Sequence, residues 1–157
     1  MKKINLIFFT ILMGCIAMSC GGGAQLPEKL EISFAAAEGY EGDAKGNAII
    51  DTKTGTDITI EISGLRPNEI YTAFFVNIKS KMFEGIGQKP YTLPVDGNGT
   101  VSFKGKIKKD IYKSYTKLGI FVNPGKKPIK NPLGVKAKLG ALIKSKKPKI
   151  VLVGKLR

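Results

Sequence analysis

Asp57-Ile58-Thr59-Ile60-Glu61-Ile62 alternates polar and apolar side chains without a break. Successive side chains of an extended chain point to opposite faces, so this period of two marks a strand with one face in a core and one in water. A helix would scatter the three isoleucines around its circumference. The same alternation recurs at Leu30, Ile32 and Phe34, at Val101 and Phe103, and from Val135 to Ile143. Ala48-Ile49-Ile50 and Ile150 to Val153 are shorter apolar runs. Ile70 to Ile78 and Leu118 to Val122 are apolar on both parities, which predicts central strands covered on both faces. Ile107 to Tyr115 is the one helix candidate, short and rich in β-branched and aromatic residues.

Turn chemistry fits strands of this length. Gly64-Leu65-Arg66-Pro67-Asn68 separates two of them, and Asp96-Gly97-Asn98-Gly99 is a hairpin signal because Gly and Asn tolerate positive φ. Asn123-Pro124-Gly125 and Asn131-Pro132-Leu133-Gly134 read as turns or loops. Seven or eight strands at such spacing predict an all-β fold, a single antiparallel β-sandwich with no second domain.

Leu65, Pro67 and Tyr71 form the pattern Leu-x-Pro-x-x-x-Tyr. It resembles the corner of fibronectin type III and other immunoglobulin-like sandwiches. The resemblance implies that Leu65 plugs the core and that the Tyr71 hydroxyl ties back to the corner backbone. The chain departs from that family in having no tryptophan and in the length that follows Tyr71. Segments Gly55 to Tyr71 and Ile120 to Gly140 are also similar to Greek-key sandwiches of the superoxide dismutase and chordin-like kind. The metal-binding histidines of that dismutase have no counterpart, so its activity is not implied.

The N-terminus reads differently from the body. Lys2 and Lys3 precede an apolar run from Ile4 to Ala17, followed by Ala17-Met18-Ser19-Cys20-Gly21-Gly22-Gly23. This resembles the signal peptide of bacterial lipoproteins, in which a cysteine is cut free and acylated. The resemblance implies a signal over residues 1–19, a lipidated Cys20 with a tether to residue 28, and the sandwich over 29–157. Cys15, after Leu12-Met13-Gly14, is the alternative acylation site. Cys20 is preferred because cleavage there leaves a flexible Gly-Gly-Gly tether, whereas cleavage before Cys15 leaves an apolar stub. The implied location is the bacterial envelope, anchored to the outer membrane and facing the periplasm or the surface.

The chain has two cysteines and no histidine. With Cys20 acylated and the signal gone, no disulfide, thiolate site or cysteine nucleophile remains, and the commonest general base is missing. Gly-x-Ser-x-Gly and P-loop spacings are absent. The expectation is a non-catalytic protein without cofactor or metal. Glu38, Glu41 and Asp43, and the Asp96 turn, offer oxygen ligands for calcium but lack the full series.

Charge is laid out unevenly. Without Lys2 and Lys3 the chain carries 24 basic against 12 acidic residues, and from Val101 onward Asp110 is the one acid among 17 bases. Ser145-Lys146-Lys147-Pro148-Lys149 fits simple heparin-type spacing, and Gly125-Lys126-Lys127-Pro128-Ile129-Lys130 is a looser version. Lys126, Lys127, Lys130, Lys144, Lys146, Lys147 and Lys149 are therefore the candidate polyanion-binding residues. Lysine dominance and the export signal argue against nucleic acid. The expected partners are the membrane, through the lipid, and a polyanionic glycan or host matrix component. The alternative is a structural envelope lipoprotein whose basic face lies on its own anionic membrane.

Overall fold

A computed structural model describes residues 27–123, 127–134 and 149–156. The described chain is all-β and antiparallel, with two short 3-10 turns and no α-helix. Its strands are β1 (Lys29–Ala36), β2 (Lys45–Asp51), β3 (Asp57–Ser63), β4 (Ile70–Asn77), β5 (Met82–Gly85), β6 (Thr92–Leu93), β7 (Val101–Lys106), β8 (Lys117–Asn123) and β9 (Lys149–Lys155). They form one curled sheet in the order β5-β4-β8-β9-β1-β2-β3-β7, with β6 also paired to β4.

Register places apolar residues opposite one another. Ile50 faces Ile58, Ala48 faces Ile60, and Ile62 faces Val101. In the other half Tyr71 faces Val122, Ala73 faces Ile120, and Ile120 faces Leu152. All of these side chains share one buried cluster, so curling brings the inner faces of the two halves together. Fully burying an isoleucine or phenylalanine contributes about 1.5–3 kcal/mol, and β3 alone buries three isoleucines.

Strand β4 is buried on both faces from Tyr71 to Val76. Its outer residues Phe74 and Val76 join Phe121 and Ile129 in a second cluster, packed by Tyr91, Leu133 and Ile150. Phe74 meets Phe83, Tyr91 and Phe121 edge-on at centroid distances of 6.1, 5.6 and 5.9 Å. Segment 127–134 thus covers the back of the sheet, which is why β4 and β8 lack a polar face.

Three expectations change. Ile78, read as part of the doubly covered strand, lies beyond β4 and is 65% exposed. The helix candidate at 107–115 is a single 3-10 turn, Ile111–Ser114, preceded by Asp110 at φ 55°. Burial of Tyr112 and Tyr115, three residues apart, suits that tighter turn. The Asp96 turn forms, but it joins β6 to β7, which pair with β4 and β3 and not with each other. It is a crossover between the halves, not a hairpin. Strands β5 and β6 carry no run long enough to mark them in the sequence. The strand expected over 135–143 lies outside the described residues.

Candidate binding surface and structural corner

The corner is built where β3 ends and the chain crosses to β4. The Tyr71 hydroxyl accepts the Arg66 N–H at 2.9 Å, and the ring is fully buried. Burial pushes the phenol well above its ordinary value, so it stays protonated and neutral. Leu65 is buried beside it, and its N–H donates to the Gly99 carbonyl at 2.9 Å. Pro67 is exposed and shapes the turn from outside. The Asp96 turn is closed by its own carboxylate, which accepts the N–H groups of Asn98 and Thr100 at 2.9 and 2.7 Å. The two crossovers therefore rest on each other.

Tyr40 packs against the same core, with its hydroxyl buried and unpartnered. Burial raises its pKa as well. An open groove of about 550 Å³ lies at this end, lined by Phe34, Lys45, Asn47, Glu61, Ser63 and Thr100.

The candidate lysines divide. Lys127, Lys130 and Lys149 are described, whereas Lys126, Lys144, Lys146 and Lys147 lie outside the described residues, as do Cys15, Cys20 and the signal. Lys127 and Lys130 are exposed on either side of buried Ile129. Lys149 opens β9 beside Ile150, which packs against the same outer cluster as Ile129. Two candidate segments are thus brought to one apolar patch, and none of these three lysines makes an ion pair among the described residues.

Glu38, Glu41 and Asp43 are exposed on the β1–β2 connection. Among the described residues no three acidic or cysteine side chains come together to hold a cation. The lysines at the opposite end of the sheet escaped the sequence reading because they are scattered from Lys29 to Lys155. Only pairing collects them. No described helix is long and apolar enough to cross a membrane.

The described residues define an antiparallel all-β protein, and its sequence carries a strong cationic surplus. In comparisons with protein families, curated proteins and solved structures, nothing matches this chain.

Proposed function

We propose that this is a lipid-anchored protein of a bacterial outer membrane, acting without catalysis as a binding or adhesion module for polyanionic glycans. The observation that carries the reading is the placement of Lys127, Lys130 and Lys149 around one apolar patch, exposed or half-exposed and without ion pairs among the described residues. Lysines held on a packed base present mobile point charges, which suit sulfated or phosphorylated sugars better than a rigid bidentate fork does. The fold reading that accompanies this is an immunoglobulin-like sandwich. The apolar cluster shared by both halves of the sheet and the Tyr71–Arg66 bond support it.

Titration with a heparin-like sulfated glycan at low and physiological salt tests the proposal. Binding that survives physiological salt and is lost when Lys146, Lys147 and Lys149 are changed together to Gln is the expected result. Unchanged affinity removes those lysines from the site, and no binding to any polyanion at physiological salt removes the function. Acyl labelling in the bacterium tests the anchor separately: Cys20→Ser should abolish it and Cys15→Ser should not.

A further inference from the structure

The first described residues are tied into one end of the sheet. Pro27 accepts the Thr52 hydroxyl, and Thr52 N–H donates to the Glu28 carbonyl at 3.0 Å. From there bonds run across the end. Gly55 donates to Asp51 at 2.9 Å and accepts from Asp110 at 2.8 Å, and Thr56 accepts from Ile107 at 2.8 Å. The Asn77 side chain donates to the Ser114 carbonyl at 3.2 Å, and Leu156 N–H donates to Thr116 at 3.0 Å. The start of β1, the 52–56 turn, the 107–116 connection, the end of β9 and the β4–β5 hairpin tip therefore share one face.

Two properties coincide on that face. Ile78, Met82 and Phe83, at and beside the hairpin tip, are the exposed large hydrophobics of the described chain, at 65%, 43% and 36%. Lys79 and Lys81 stand between Ile78 and Met82. Lys29, Lys109, Lys117 and Lys155 join them, and none of these six lysines makes an ion pair among the described residues. Most acids of the face are already engaged, and Glu31, exposed on β1 two residues from Lys29, has no ion pair among the described residues. Glu28 pairs with Lys53, Asp57 with Lys106, Glu84 with Lys108 and Asp110 with Lys113, while Asp51 accepts backbone N–H groups. Among the described residues the opposite end carries the acids Glu38, Glu41, Asp43, Glu69 and Asp96.

We infer that this face docks on an anionic lipid bilayer. The tip side chains enter the headgroup boundary and the unpaired lysines meet lipid phosphates. Lysines beside an exposed apolar tip favour lipid over a glycan, which offers the apolar tip nothing. The inference rests on the anchored reading for its membrane. From Pro27 back to Cys20 the chain spans at most about 25 Å, so an acylated Cys20 would hold this face at the bilayer. The glycan-binding lysines around Ile129 would then remain available on the flank.

Every described strand and core side chain lies at or beyond residue 29, so a chain of residues 24–157, free of cysteine and acyl groups, retains the fold, and a cooperative melt verifies it. It should co-sediment with mixed phosphatidylglycerol–phosphatidylcholine vesicles and not with phosphatidylcholine alone. Ile78→Ser with Met82→Ser, and separately Lys79→Gln with Lys81→Gln, should each weaken this about tenfold at an unchanged melt. Lys45→Gln should leave it unaltered. The protein has no tryptophan, so Ile78→Trp gives an emission from the tip alone, which should shift to the blue on binding. Absence of binding, equal binding by the tip variants, or an unshifted emission overturns the inference, as does loss of glycan binding in place of vesicle binding. Failure of acyl labelling with vesicle binding intact would overturn the anchored reading instead.

Discussion

The Tyr71 hydroxyl accepts the backbone N–H of Arg66 at 2.9 Å across the crossover from β3 to β4. The bond closes the loop from Arg66 to Tyr71, where the chain leaves one half of the sheet for the other. Tyr71→Phe keeps the buried ring and removes the acceptor. The expected loss is about 1–2 kcal/mol, seen as a lower urea midpoint at unchanged slope. A midpoint equal to that of the parent would show that water replaces the hydroxyl at no cost.

Gly99 sits at φ 76°, and a Cβ there would overlap the Leu65 carbonyl oxygen. Gly97, two residues away, has open space around it. Gly99→Ala should therefore cost upward of about 2 kcal/mol, combining left-handed strain with displacement of the neighbouring crossover, while Gly97→Ala should stay within about 0.5 kcal/mol. Similar melts for the two variants would show that the crossovers do not bear on each other.

Ile129 is the buried residue by which segment 127–134 holds to Phe74 and Phe121. Ile129→Ala should cost about 2–4 kcal/mol, and amides of β4 should exchange faster with solvent in the variant. A loss below about 0.5 kcal/mol would mean that the segment adds no packing.

Asp57 accepts from Lys106 at 2.5 Å and also from Thr54 and Thr56, and Lys106 leads in holding its carboxyl below the ordinary range. A folded-state pKa below the unfolded one stabilises the fold above the unfolded value, near pH 4. That stabilisation is lost as pH falls through the lowered folded value. The parent should lose stability across that acid window more steeply than Lys106→Met. Parallel acid limbs would show that this exposed pair is screened out.

Much of the core was legible along the chain because period-two patterning is local. Ile58, Ile60 and Ile62 all point inward, as do Ile32 and Phe34. The doubly apolar run from Ile70 announced a strand covered on both faces, and it is covered by Phe121, Ile129 and Tyr91. Ile78 belongs to the same run by composition, yet it projects into solvent because the ladder with β8 runs no further than Val76 and Lys117. The Asp96 turn shows the same division. Its residues dictate a reversal, but a reversal carries no information about which strands meet on either side of it.

Strand-forming segments, their inward faces, the turns and the cationic surplus follow from residue chemistry within a few positions, since φ preference, side-chain alternation and charge are local properties. The pairing of β1 with β9 across more than a hundred residues, the stacking of Gly99 on Leu65 and the gathering of Lys29, Lys79, Lys109 and Lys155 on one face do not. Such juxtapositions depend on which of many comparable strand pairings buries the most apolar surface. That comparison is made over the whole chain at once, after the entropy of closing long loops has been met.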